Sequence, residues 1–76
     1  MTPTIGRIVH YQSFGTPGGE FLPQPRAAVI VDLCPDVFPS GLGVTVCVLN
    51  PSGIFFNTVD YSEEPKPGHW NWPPRV

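Results

Sequence analysis

Proline and glycine interrupt this chain so often that no segment keeps a helical period for the length that a stable helix needs. Its 76 residues include eleven prolines and eight glycines. A proline inside a helix removes a hydrogen bond and clashes with the preceding turn. The runs between these breaks are short and rich in β-branched and aromatic residues, which is typical of strands. The sequence therefore predicts an all-β fold, a small barrel or sandwich with the SH3-like barrel among the candidates.

Four runs are predicted to be strands, and turn residues bound each of them. The first extends from Ile5 to Gln12. The second, Arg26 to Leu33, is almost continuously apolar, so we expect a central strand that is buried on both faces or at an interface. Val44 to Leu49 and Ile54 to Asn57 are separated by Asn50-Pro51-Ser52-Gly53, which has proline at the second position of a β-turn. These last two strands are predicted to form a hairpin.

The C-terminal segment is the most aromatic part of the chain and holds both tryptophans. Burying aromatic side chains is a main source of the free energy that orders a chain, so this segment is predicted to dock as an edge strand or arm. On an extended strand, Trp70 and Trp72 face one side, whereas His69 and Asn71 face the other. We expect one indole in the core or a subunit interface and keep the other for a ligand.

Two connections and two cysteines complete the predicted organisation. Residues 13–25 form a glycine-rich loop that is long for a hairpin, so it is a candidate lid or interface arm, with a loop of no specific role as the alternative. Asp60 to Gly68 is acidic and proline-rich and is predicted to cross the surface towards the sheet edge. Cys34 and Cys47 could form one disulfide, but buried free thiols are favoured, since free cysteine behaves as a small apolar residue.

The length of the chain limits how much core it can bury. Residues 1–76 form one predicted domain, near the lower limit at which a single apolar core stabilises a fold alone. Self-association would add buried area, so a homo-oligomer is expected. No apolar run approaches the roughly 20 residues of a membrane span, and no secretion signal is visible. These features predict a soluble, cytoplasmic protein with no membrane partner.

The charge of the chain favours a small ligand over a polymer. Its formal net charge is −2, and Lys66 with three arginines makes up the whole basic inventory. Binding long nucleic acid requires clustered cations that neutralise several phosphates, whereas one bidentate arginine suits a single phosphate or carboxylate. The sequence therefore predicts a small anionic, nucleotide-like ligand and no long nucleic acid. The alternative for each arginine is an ordinary surface charge.

Aromatic and amide side chains complete the predicted ligand site. Aromatic rings stack on nucleobases, and amides hydrogen-bond to polar base edges, although packing and turn formation are the commoner uses of the same residue types. The loop from Gly15 to Gly19 would add backbone N–H groups for a phosphate. The candidate ligand-binding residues are Arg7, His10, Tyr11, Arg26, Asn50, Asn57, His69, Trp70, Trp72 and Arg75.

Evidence for catalysis is weak. His10 and His69 could in principle pair with a cysteine or an aspartate, but no nucleophile elbow, carboxylate pair or metal-ligand spacing is present locally. The glycine-rich loop lacks the Lys-Ser/Thr end of a phosphate-binding loop. We therefore predict a protein that is not an enzyme and holds neither a cofactor nor a metal.

Four segments of the chain form a distinctive pattern. They are Pro3-Thr4-Ile5-Gly6-Arg7-Ile8-Val9-His10-Tyr11, Arg26-Ala27-Ala28-Val29-Ile30, Cys47-Val48-Leu49-Asn50-Pro51-Ser52-Gly53 and His69-Trp70-Asn71-Trp72-Pro73. In these segments the chain resembles a family of small proteins encoded by tailed phages and prophages. The resemblance covers most of the chain, but the motifs of the family carry no assigned activity. In small size and economy the chain is similar to phage sponges, oligomers that sequester the nucleotide signals of bacterial immunity.

The expected function follows from this likeness and from the predicted ligand. The first hypothesis is a phage-encoded binding protein that sequesters a cyclic or modified nucleotide between subunits, in the cytoplasm of the bacterial host, and so counteracts anti-phage defence. The second hypothesis is a protein-interaction or structural module, a virion component or host-takeover factor that uses the C-terminal tryptophan arm. Tryptophan and arginine anchor protein interfaces as well as ligands, so both hypotheses stay open at this point.

Overall fold

A computed structural model describes residues 2–14 and 24–74. Within these residues there is no helix, which confirms the all-β prediction. One sheet contains all five strands, and every pair of neighbouring strands is antiparallel, in the order β4-β3-β2-β1-β5. The strands are β1 (Ile8–Gln12), β2 (Pro25–Leu33), β3 (Val44–Asn50), β4 (Gly53–Val59) and β5 (Trp70–Asn71).

The second strand is central, as predicted, but it is covered on one face alone. Ala28 and Ile30 are fully buried, whereas Ala27 is exposed and Val31 keeps 40% of its surface accessible. The prediction of burial on both faces is therefore wrong for the single chain. An apolar run such as this one is expected where two layers enclose a sheet, and here the described residues cover one side.

The first strand is shorter than predicted because a turn precedes it. Gly6 has a φ of 94°, a left-handed conformation that glycine adopts without steric cost. The N–H of Arg7 donates to the carbonyl oxygen of Thr4 at 3.2 Å and closes the turn. Ile5 to Arg7 therefore lies outside β1, although the Gly6 N–H donates to Ile30 at 2.8 Å and holds the turn beside β2.

The hairpin of β3 and β4 agrees with its prediction. Asn50 pairs with Gly53 across the turn, and the pairing continues without a register shift to Val44 and Val59. The fourth strand runs two residues beyond the predicted end at Asn57. The hydroxyl oxygens of Thr45 and Thr58 lie 2.8 Å apart, so a cross-strand hydrogen bond supports this extension.

One face of the sheet, which we call the core face, carries the buried apolar side chains. Leu42, Tyr61 and Trp72 pack against its margin. The core residues are Val9, Tyr11, Ala28, Ile30, Val44, Val46, Val48, Val59 and Trp70.

The segment after β4 reaches the opposite end of the sheet. The Trp70 N–H donates to the carbonyl oxygen of Asp60 at 2.9 Å, and the Ser62 N–H donates to that of Trp70 at 3.0 Å. Tyr61 thereby forms a parallel bridge with Trp70. The acidic, proline-rich segment therefore delivers the aromatic residues to an edge strand, as predicted.

The opposite side of the sheet, the outer face, carries apolar side chains that remain accessible. Cross-strand pairing aligns Ile8, Val29, Cys47 and Phe56 in one row over four strands. Ile8 is 55% exposed and Phe56 is 62% exposed. Leu49 pairs with Ala27 and Ile54 in the next row. The outer face is therefore apolar but uncovered by the described residues.

Both cysteines are free thiols, and both are partly buried. The sulfur of Cys34 lies 3.4 Å from the Thr45 hydroxyl oxygen, and Cys47 lies on β3. The favoured prediction of free thiols thus agrees with the structure. Separately, the described part of the chain includes no helix with the length and hydrophobicity that crossing a bilayer requires.

Candidate functional site

Tyr11 links three of the predicted ligand residues on the core face, namely itself, Arg26 and Asn57. Tyr11 on β1 pairs with Arg26 on β2. The side-chain amide of Asn57 on β4 points at the Tyr11 hydroxyl, with 3.5 Å between Nδ2 and the oxygen. Asn50 follows Leu49, which pairs with Ala27, so continuing this register puts Asn50 opposite Arg26 on β2. Four strands thus contribute to one cluster.

Phe55 belongs to the same cluster, although sequence analysis did not select it. Its ring centroid lies 5.8 Å from that of Tyr11 at an interplanar angle of 83°, an edge-to-face contact. It keeps 38% of its surface accessible. Phe55 and Asn57 stand two residues apart on one strand, so strand alternation could have assigned both to one face. We call Tyr11, Arg26, Phe55 and Asn57 the end patch.

Arg26 is the unusual member of the end patch because it is buried. Its exposed fraction is 8%. In the sequence it comes directly before the apolar residues of β2. Arginine is rarely buried without a specific role, since removing a guanidinium from water is costly unless it is paired. The partly exposed ring of Phe55 and the exposed amide of Asn57 lie on the same face. The three side chains therefore share the core face, and Tyr11 links them, since it pairs with Arg26 and contacts both Phe55 and Asn57.

The C-terminal tryptophans have a different environment. Trp70 is 1% exposed, and its Nε1–H donates to the carbonyl oxygen of Leu42 at 2.9 Å. Its ring centroid lies 4.9 Å from that of Tyr61 and 5.3 Å from that of Trp72. Trp70 is therefore the indole that fills the core.

Arg7 and Trp72 form a second pair of predicted residues that the structure brings together. The Cζ atom of Arg7 lies 5.7 Å from the centroid of the Trp72 ring, within the range of a cation–π interaction. Arg7 is exposed and Trp72 is partly buried. A cation that lies over the ring occupies the surface on which a base would stack, so this pair is a weaker ligand site than the end patch.

The remaining predicted residues lie elsewhere. His10 pairs with Asn71 between β1 and β5, and its position in the strand directs it to the outer face. The Nδ1 atom of His69 lies 3.1 Å from the carbonyl oxygen of Pro67. Arg75 and the loop from Gly15 to Gly19 lie outside the described residues.

A cavity of about 340 Å³ is lined by Ser62 to Lys66. None of the predicted ligand residues lines it, and two glutamates among its five lining residues disfavour an anionic ligand. Within residues 2–14 and 24–74, no three histidine, cysteine or acidic side chains form a group that could hold a metal ion. The end patch therefore offers the chemistry that fits the predicted ligand better.

Comparison with known proteins adds no relative to this picture. No family model matches the chain, and no curated protein or solved structure does either. The geometry of the end patch, the outer face and the strand edges is accordingly the basis for proposing a function.

Proposed function

We propose that this chain is a non-catalytic binding protein that holds a small anionic ligand with an aromatic ring, of the nucleotide class, at the end patch. The observation that carries this proposal is the contact of Tyr11, the strand partner of the buried Arg26, with both the accessible ring of Phe55 and the amide of Asn57. These groups come from β1, β2 and β4, so the sheet itself sets their spacing.

Each group of the end patch matches one part of a nucleotide. A guanidinium donates two parallel hydrogen bonds to a phosphate, and the attraction between the two charges is stronger where water is excluded. Stacking of a base on an aromatic ring contributes about 1 to 3 kcal/mol. The amide of Asn57 can both donate to and accept from a polar base edge. Together these contacts orient a ligand without any group that would attack it.

The resemblance to tailed-phage proteins suggests the biological role. We propose that the ligand is a cyclic or modified nucleotide that signals in bacterial defence, and that the protein sequesters it between subunits in the host cytoplasm. We also propose a small barrel as the finer description of the fold, because the residues after β4 hydrogen-bond to Trp70 on β5. Such a barrel, closed through residues 60–62 and open along β4, would hold the strands that contribute to the patch at fixed distances.

A protein-interaction module is the second candidate, and the outer face favours it. Ile54 and Phe56 are each 62% exposed, and neighbouring positions on this face are apolar. Accessible apolar surface of this kind is typical of protein interfaces. The tryptophan arm is less suited to that role, because Trp70 is buried at 1% exposure.

Native mass spectrometry of the protein purified from cells, repeated with a panel of linear and cyclic nucleotides, tests the first proposal. We expect mass increments of nucleotide size on the wild-type protein. Phe55→Leu should weaken binding about tenfold, because it removes the stacking ring. Phe14→Leu is the matched control, since this exposed ring lies outside the end patch and is not on β4.

Two arginine variants distinguish a specific contact with the phosphate from a general effect of positive charge on binding. Arg26→Lys keeps the charge but loses the bidentate fork, so it should weaken nucleotide binding while the fold is retained. Arg7→Lys makes the same change outside the end patch and should leave binding near the wild-type value. If the protein binds no nucleotide of the panel, or if both variants lose the same affinity, the result would favour the protein-interaction module instead.

A further inference from the structure

We propose that β4 pairs antiparallel with β4 of a second copy of this chain, so that the two sheets join into one continuous sheet. The inference deepens the proposed function, which requires two subunits around a ligand, and its test measures assembly without any nucleotide. It rests on the edge of the sheet, on the sequence of β4 and on the accessible residues that flank it.

The two edges of the sheet are unequal. The fourth strand ends one side of the strand order with seven residues, whereas β5 ends the other side with two. Two prolines, Pro73 and Pro74, follow soon after β5 and cannot donate to a further strand. The residues of β4 include neither a charge nor a proline, and their pairing with β3 has no bulge. A long, uncharged and regular edge is a template for another strand.

The hairpin determines which backbone groups of β4 point outwards. Asn50 and Gly53 flank a two-residue turn, the position at which hairpin residues form a hydrogen-bonded pair. Because the direction alternates along a strand, Phe55 and Asn57 also turn their N–H and C=O groups towards β3. The backbone groups of Ile54, Phe56 and Thr58 therefore face the open edge, and no described strand pairs with that edge.

Self-pairing of the whole strand gives one register. Phe56 is the central residue of Gly53–Val59, so a two-fold axis beside it pairs all seven residues. Phe56 then lies opposite the partner's Phe56, and Ile54 lies opposite the partner's Thr58. Both pairs lie on the outer face and use the outward backbone groups, so the hydrogen-bond pattern and the side-chain pattern agree.

The side chains of β4 fit a second copy of the same strand. No charge lies opposite a like charge in this register, because the strand has none. Phe56 and Ile54, each 62% exposed in the single chain, would each contact an apolar or β-branched side chain of the partner. An isologous contact requires a self-complementary surface, and this strand meets that requirement over its full length.

Pairing of this kind would also enlarge the candidate site. Phe55 would lie opposite the partner's Asn57 on the core face, and Asn57 opposite the partner's Phe55. Phe55 and Asn57 of the two end patches would then meet at the two-fold axis, with ring and amide groups from both copies side by side. A ligand held there would contact both subunits.

Complementary charges at Phe56 test the register directly. Phe56→Lys and Phe56→Glu each place like charges across the two-fold axis, so each variant should dimerise about tenfold more weakly than the wild type. An equimolar mixture of the two variants places lysine opposite glutamate and should restore a one-to-one heterodimer. Recovery of the heterodimer also establishes that both variants are folded.

Ile8→Lys is the matched control, because Ile8 is a similarly exposed apolar residue of the outer face on β1, away from the β4 edge. Sedimentation equilibrium and native mass spectrometry without nucleotide measure the dimer in each case. A wild-type protein that stays monomeric through the micromolar range would overturn the inference. Equal dissociation by Ile8→Lys would do so as well, since it would indicate face-to-face packing, and a mixture that remains monomeric would exclude the proposed register.

Discussion

The indole N–H of Trp70 donates a hydrogen bond to the carbonyl oxygen of Leu42 across 28 positions of sequence, with 2.9 Å between the two atoms. Trp70 is thus held at its backbone by Asp60 and at its ring by the loop before β3. The contact joins the edge strand to the far end of the core, so the position of this one ring depends on two distant segments.

Trp70→Phe is expected to lower the free energy of unfolding by about 2 to 4 kcal/mol, because the Leu42 carbonyl loses its donor and the core loses volume. Trp72→Phe, at a partly exposed ring, should cost about 1 kcal/mol or less. Urea denaturation of both variants measures the difference. Equal losses would mean that the hydrogen bond contributes nothing beyond packing.

Asn71→Leu should destabilise the protein by about 1 to 3 kcal/mol, since it leaves the buried amide of Gln12 without its acceptor. The Gln12 Nε2–H donates to the Oδ1 atom of Asn71 at 2.8 Å, and both residues are buried. The double variant Gln12→Leu/Asn71→Leu should recover part of the loss, because no polar group then remains unpaired. A double-mutant cycle by chemical denaturation gives the coupling, and additive losses would contradict the prediction.

Gly68→Ala should lower the free energy of unfolding by about 1 kcal/mol more than Gly41→Ala does. Both glycines have a left-handed conformation, with φ values of 80° and 74°, so both variants pay a similar backbone strain. A Cβ at Gly68 would also lie 2.8 Å from the ring of Phe14, whereas nothing lies within 4 Å at Gly41. Adding Phe14→Ala to Gly68→Ala should remove the difference in thermal unfolding, because the ring is then absent.

Gly43→Ala is expected to lower the free energy of unfolding by about 1 to 3 kcal/mol. Its φ is not positive, so the cause is steric contact of the added Cβ and not backbone strain. A Cβ there would lie 2.6 Å from a ring carbon of Phe38 and 2.8 Å from the carbonyl oxygen of Cys34. Phe38→Ala should not rescue the variant, because the backbone oxygen remains in place. Full rescue, measured as recovery of the melting temperature, would show that the ring alone causes the strain.

Local signals explain the parts of the fold that sequence analysis predicted. The turn of Asn50 to Gly53 has its proline at the position where β-turns favour one, and the flanking runs pair as a hairpin. The apolar run of β2 is correctly placed at the centre of the sheet. The early start assigned to β1 was wrong because alternation continues through Ile5, while the left-handed Gly6 is a backbone property that the pattern does not reveal.

The candidate site was predicted less well, because strand pairing decides which residues meet. Tyr11 and Asn57 are 46 positions apart, and their contact depends on the order of four strands that periodicity does not specify. Phe55 was overlooked because its neighbour Phe56 has the same side chain on the opposite face. The burial of Arg26 also follows from tertiary packing rather than from its own neighbours.

The pairing of β1 with β5 also determines when the sheet can be completed during synthesis. The ribosome makes Gln12 long before Asn71, yet the two side chains bond each other across 59 positions. Until the later strand emerges, a nascent sheet of the first four strands presents Val9 and Tyr11 without the indole that covers them in the finished protein. Closure therefore waits until β5 has been made, and during that interval the growing chain is most exposed to chaperones and to aggregation.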